Sequence, residues 1–113
     1  MKINLNNRKF RATSNSKNGE VSTETIFNYF QEGAIVWAEY SGGEITKGNL
    51  LGTKTSEDSI HFVYQHINTK GELLTGKCDS KITLNLNQKI VLNETWQWTC
   101  GDFSHGTSVL EEI

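Results

Sequence analysis

Apolar and aromatic residues recur at every second position along most of this chain, in runs broken by short polar stretches that usually carry glycine. A period of two places successive side chains on opposite faces of an extended strand, and β-branched and aromatic residues fill these runs. The pattern predicts strands over residues 8–14 (with Phe10 and Ala12), 21–31, 34–41, 44–54, 59–67, 72–86, 89–100 and 107–113. Between them lie the Asn15 to Gly19 loop, Glu32-Gly33, Gly42-Gly43, Thr55 to Asp58, Asn68 to Gly71, Asn87-Gln88 and Gly101 to Gly106. Gly48 and Gly52 inside the fourth run mark bends or close packing. The sixth run is long for one strand and is expected to bend near Asp79-Ser80.

No connection has room for a crossover helix, so each strand pairs antiparallel with the next. The expected fold is all-β: an eight-stranded antiparallel up-and-down meander, closed or nearly closed into a barrel. Closure removes two raw sheet edges, and an open sheet or a sandwich is the alternative. At 113 residues the chain makes a single β-barrel domain, residues 1–113. Residues 1–7, with Ile3 and Leu5, read either as a flexible tail or as an extension of the first strand.

Turn positions fix register, and register fixes the faces. A turn at Glu32-Gly33 sets Tyr29 opposite Val36 and Phe27 opposite Ala38. A loop over Asn68 to Gly71 sets Tyr64 opposite Thr75 and Phe62 opposite Lys77. A turn at Asn87-Gln88 sets Lys77 opposite Trp98, Asp79 opposite Trp96 and Lys81 opposite Glu94. One face then carries Phe62, Tyr64, His66, Lys77, Asp79, Glu94, Trp96 and Trp98. The other carries Val63, Gln65, Ile67, Leu74, Gly76, Cys78, Thr95, Gln97 and Thr99. Large aromatic walls with a few polar groups are what a ligand barrel shows inside, so Phe62, Tyr64, His66, Lys77, Glu94, Trp96 and Trp98 form the candidate cavity face. The same alternation also suits a filled core that binds nothing.

Composition narrows the classes. Apolar content of 35% suits strands with one wet face, and proline, which would remove a ladder donor, is absent. The formal charge is −2 with acids and bases interspersed, so no basic footprint for nucleic acid exists. The first residues lack the apolar core of a signal peptide, and no apolar stretch approaches the ~20 residues of a helical membrane span. The expected location is the cytoplasm, where Cys78 and Cys100 are reduced thiols. Asn93-Glu94-Thr95 matches a glycosylation sequon but lies mid-strand.

Catalytic and metal motifs are weak. His61 and His66 are five apart, which puts them on opposite faces of one strand. Cys100, Asp102 and His105 share a loop without a recognised ligand spacing, so no metal and no cofactor is expected. Ser104-His105 near Asp102 lacks the geometry in which His reaches Ser and Asp from opposite sides. Cys78 reads as a small packed residue. Glu94, Tyr64, Lys77 and His66 together could place a general acid and base.

Five stretches carry a resemblance: Asn18-Gly19-Glu20-Val21-Ser22-Thr23-Glu24-Thr25, Gly42-Gly43-Glu44-Ile45, Tyr64-Gln65-His66, Gly71-Glu72-Leu73-Leu74-Thr75-Gly76-Lys77-Cys78 and Trp96-Gln97-Trp98-Thr99. Across nearly its whole length the chain resembles a family of small bacterial proteins of unknown function, some of which carry the label acetylglutamate synthase. That activity belongs to α/β folds holding a pyrophosphate at a glycine-rich turn before a helix, and this chain has neither feature. The meander is also similar to the calycin barrels: lipocalins, fatty-acid-binding proteins and avidins. Three readings stand. The first is a barrel that binds a small, partly apolar molecule, as monomer or homodimer. The second is an association module using Ile26, Phe30, Ile35 and Trp37. The third is a small barrel enzyme of cyclase, isomerase or decarboxylase type.

Overall fold

Every short connection turns the chain back beside the strand just laid down, and the last strand returns to the first. The computed structural model describes residues 3–113. Its strands are β1 (Arg8–Asn15), β2 (Ile26–Glu32), β3 (Ile35–Gly42), β4 (Ile45–Ser56), β5 (Ser59–Asn68), β6 (Leu73–Leu84), β7 (Ile90–Trp98) and β8 (His105–Glu112). They form a closed barrel in sequence order, all neighbours antiparallel, with β1 pairing β8 through Phe10↔Glu112 and Ala12↔Leu110. Among the described residues no helix occurs, so none is long and apolar enough to cross a membrane.

The inner face holds the core, with Phe10, Tyr29, Val36, Leu92 and Leu110 fully buried. One end is plugged by the N-terminal segment. Leu5 is fully buried and Ile3 nearly so, at the end where the β2–β3, β4–β5 and β6–β7 hairpins lie. Burying one such leucine contributes roughly 1.5–3 kcal/mol. The segment is tied by Leu5 N–H to Gln31 Oε1 (3.0 Å), Gln31 N–H to Asn6 Oδ1 (3.1 Å) and the Lys54 ammonium to the Ile3 carbonyl. It is therefore neither a free tail nor a strand extension over residues 3–7; Met1 and Lys2 lie outside the described residues.

Two hairpins decide which side chains face inward, and both differ by one residue from the sequence reading. Asn68 and Glu72 close one loop through Asn68 N–H to Glu72 C=O (3.0 Å), and Asn85 and Lys89 close the other in the same way (2.9 Å). In each, the asparagine Oδ1 accepts two backbone N–H groups: Lys70 and Glu72 for Asn68, Asn87 and Lys89 for Asn85. The fourth residue is left-handed, Gly71 at φ 78° and Gln88 at φ 62°. Each loop therefore has three residues, 69–71 and 86–88, one fewer than the four expected at Asn68 to Gly71 and one more than the two expected at Asn87-Gln88. The registers become Phe62↔Cys78, Tyr64↔Gly76, Cys78↔Trp96 and Gly76↔Trp98. A one-residue shift flips every side chain of a strand, so β6 turns Gly76, Cys78 and Ser80 inward and Lys77 and Asp79 outward.

The β2–β3 turn differs without consequence. Glu32 pairs Ile35 across Gly33-Ala34, with Gly33 at φ 59°, and Tyr29 pairs Ala38; parity and faces are unchanged. Residues 21–25 are not strand but the end of a long β1–β2 loop. β6 runs without a register shift past Asp79-Ser80, so the expected bend there is absent.

Candidate ligand cavity

The barrel end opposite the Leu5 plug is covered by residues 16–25, a loop that hangs on side-chain hydrogen bonds. Both inward tryptophans of β7 hold it: Trp96 Nε1–H donates to Asn15 Oδ1 and Trp98 Nε1–H donates to the Asn18 carbonyl, each at 3.0 Å. Asn15 Nδ2 donates to the Val21 carbonyl (2.9 Å), and Asn18 Nδ2 reaches Ser104 Oγ and the His105 carbonyl (3.1 and 3.0 Å). Glu20 turns down to the barrel rim. Its Oε1 meets His66 Nε2 at 2.8 Å and its Oε2 accepts from Asn68 Nδ2 at 3.0 Å. Nδ1 of His66 faces the Tyr40 hydroxyl at 3.0 Å. Burial pushes the Tyr40 phenol well up, so the hydroxyl keeps its proton, and it also lies 3.4 Å from the Gln65 carbonyl.

Beneath this loop lies a cavity of about 40 Å³, walled by rings of Phe27, Tyr40, Phe62, Tyr64, Trp96 and Trp98 and floored by Cys78, Glu94 and Ser108. The rings pack edge to face: Trp96–Trp98 at 5.6 Å, Tyr64–Trp98 at 5.8 Å and His66–Trp98 at 5.8 Å between centroids. Room for them comes from missing side chains opposite. A Cβ on Gly76 would stand 2.2 Å from the Tyr64 ring, so only glycine there lets that ring lie against β6.

Glu94 is the buried acid of the interior. Its Oε1 accepts the Ser108 hydroxyl at 2.9 Å, while Oε2 has no hydrogen-bond partner. The Tyr29 hydroxyl and Ser80 Oγ are likewise buried and unpartnered. Burial pushes the Glu94 carboxyl up from 4.5 to about 7, against the smaller downward pull of Ser108. The Cys78 thiol is pushed well up by the same burial, so it is a thiol and not a nucleophilic thiolate at neutral pH.

The structure gathers Phe62, Tyr64, His66, Glu94, Trp96 and Trp98 inside, around or beside this cavity. Lys77 is not among them: it is exposed on the outer wall opposite Val63 and Gln97, as the corrected β6 parity requires. Asp79 is also outside, bonded to His61 Nδ1 at 2.9 Å. Asp102 Oδ1 caps the Ser104 N–H at 2.9 Å as a local turn, and among the described residues no group of three or more His, Cys, Asp or Glu is placed to hold a metal ion. Among the lining residues that the sequence reading missed are Asn15, Glu20, Phe27, Tyr40, Cys78 and Ser108.

The outer wall carries a separate feature. Phe30, Trp37, Leu51 and Val63 are paired in one row across β2 to β5, with Phe30 and Trp37 stacked at 5.8 Å and Leu51 and Val63 60% and 57% exposed. Ile35 is 52% exposed beside it and Ile26 half-buried.

A family model described as an avidin-like protein matches residues 3–113. No curated protein and no solved structure matches the chain.

Proposed function

The chain belongs to the avidin-like family, and from that premise we propose that it binds a small, partly apolar molecule in the barrel interior beneath the 16–25 loop. Avidin-like barrels bind small ligands, and the cavity supplies the place. The observation that carries the reading is the lining of this recess. It holds about 40 Å³ at the end of the barrel and opens partway to solvent. It is ringed by six aromatic side chains, beside a buried carboxylate whose second oxygen has no donor in the chain. Such a wall offers apolar contact with one polar anchor, the composition of a small-molecule site.

Native mass spectra of the protein isolated from its source cells test this. The expected result is a reproducible excess mass that disappears on denaturation; a bare chain in every preparation counts against binding. With the retained compound in hand, Trp98→Ala should weaken its binding at least about tenfold, since a buried aromatic wall contributes on the order of 1–3 kcal/mol. Lys77→Ala, on the outer wall, should change it less than about twofold.

A second reading, self-association through one outer row, is favoured by exposed Leu51 and Val63 continuing from half-buried Phe30 and Trp37. It expects a dimer mass in the same spectra, and a dimer that persists in Leu51→Lys rules that row out.

A further inference from the structure

Resting on the binding reading above, we infer that the cavity takes a small organic cation, an ammonium head with short alkyl substituents, held between the Glu94 carboxylate and the rings of Trp96, Trp98 and Tyr64.

Three independent features of the interior select charge. The first is the wall. Six aromatic side chains line the cavity, and the faces of such rings carry negative potential that attracts cations. The second is the unpaired oxygen. Glu94 Oε2 is buried without a donor, while Oε1 is already bonded to Ser108. A buried carboxylate left unpaired is costly, and a charge-assisted N–H donor is the partner that offsets most of that cost. The third is the absence, among the described residues, of lysine and arginine from the interior. The titratable groups that face Glu94 are Tyr29 from β2, Tyr40 from β3, Tyr64 from β5 and Cys78 from β6, each held neutral by burial. At the rim Glu20 adds a second carboxylate, engaged by His66 and Asn68. Among the described residues no lysine or arginine is buried. An anionic ligand would meet the Glu94 carboxylate with no lysine or arginine to balance its charge; a cation completes the site.

Size narrows the class. A cavity of about 40 Å³ admits about three water-sized groups, so the enclosed head is a primary or secondary ammonium with small alkyl groups, and anything longer extends under the loop. Binding is then linked to a proton. The empty site holds Glu94 half protonated near pH 7, and a cation requires it ionised, so each binding event below that pH releases a proton.

The test compares isopropylammonium, isopropanol and acetate, molecules of equal heavy-atom count, followed through the indole N–H resonances of Trp96 and Trp98. Isopropylammonium should bind at least about tenfold tighter than isopropanol, and acetate should not move the resonances. Between about pH 6 and pH 8 the affinity for isopropylammonium should rise about tenfold, following the ionised fraction of Glu94. Glu94→Gln should remove both the preference and the pH dependence. If isopropanol binds as tightly as isopropylammonium and Trp98→Ala abolishes both, the cavity is a binding site and the cation assignment is wrong. If none of the three shifts the resonances, the cation assignment falls, and the native mass spectra decide the binding reading on their own. Should Glu94→Gln not fold, the wild-type comparison of the three probes and its pH dependence still decide.

Discussion

Between about pH 4 and pH 8 the wild-type protein is expected to lose about 3 kcal/mol of folding stability relative to Glu94→Gln. The cause is the burial of one carboxyl, raised from 4.5 to about 7 in the folded barrel. The sign follows from proton counting. Between those two values the native state holds a proton that the unfolded chain has released, and stability falls as pH rises wherever the native state binds more protons. Below the unfolded value the carboxyl is neutral in both states and contributes nothing. Above the folded value the full penalty of a buried, unpartnered charge is present. Asp58, Asp102 and Glu112 are lowered by hydrogen bonds, so their contributions run the opposite way. They are common to both proteins, so the difference between the two isolates Glu94. Urea unfolding of wild type and variant across that range measures it. A constant difference at all pH values would mean that the carboxyl titrates normally and is solvated in the folded state. A bound cation opposes this trend: it stabilises the ionised form, so a saturating ligand should flatten the wild-type profile.

The fold was legible because its two determinants are local. Period-two alternation gives strand position, and short glycine- or asparagine-bearing connections give antiparallel neighbours, as in β2–β3 across Gly33. Closure followed from the cost of two open edges. The candidate face was legible on β5 and β7, where Phe62, Tyr64, His66, Glu94, Trp96 and Trp98 alternate plainly. It failed on β6 because parity there hangs on a single residue of loop length. Asn68 and Asn85 each fold their side chain back onto the loop backbone and leave a three-residue loop, one shorter than expected at the first hairpin and one longer at the second, which turned Lys77 out and Cys78 in. The signal was present in the repeated arrangement of an asparagine three residues before a left-handed position, but Gln88 disguises it where Gly71 advertises it.

The remaining misses have a different origin. Register relates only adjacent strands, whereas the cavity is assembled across the barrel. Tyr40 of β3 and Phe27 of β2 face β7 only because the sheet closes, and no pairing rule read from turns connects them. Glu20 was hidden because Val21, Thr23 and Thr25 look like strand. In the structure Thr25 is fully buried and spends its hydroxyl on the Gly42 carbonyl (3.1 Å) and its Oγ1 lone pair on the Ser22 N–H (3.1 Å), closing the loop that carries Glu20.

That junction carries the second large expected effect: Gly42→Ala should cost about 3 kcal/mol or more, lowering Tm by on the order of 10 °C, whereas Gly33→Ala should cost only about 1 kcal/mol. Both glycines have positive φ, 119° and 59°, so sign alone does not separate them. The conformation at Gly42 is one that residues with a Cβ scarcely adopt, while that at Gly33 is an ordinary left-handed turn. Their surroundings differ more. A Cβ on Gly33 meets nothing within 4 Å, but on Gly42 it would stand 2.1 Å from the Glu24 carbonyl oxygen and 3.2 Å from the Thr25 Cα. Both contacts are backbone, so relief requires the end of the β1–β2 loop to move away from β3. That movement breaks the Thr25–Gly42 hydrogen bond and slackens the loop over the cavity, so the variant should also lose protection of the Trp96 and Trp98 indole N–H groups against hydrogen exchange. Thermal melts and exchange on the two variants read both consequences. Equal melting temperatures for the two would show that the loop yields to the new methyl group freely, and the cover over the cavity would then be a loose flap that the Gly42 junction does not hold in place.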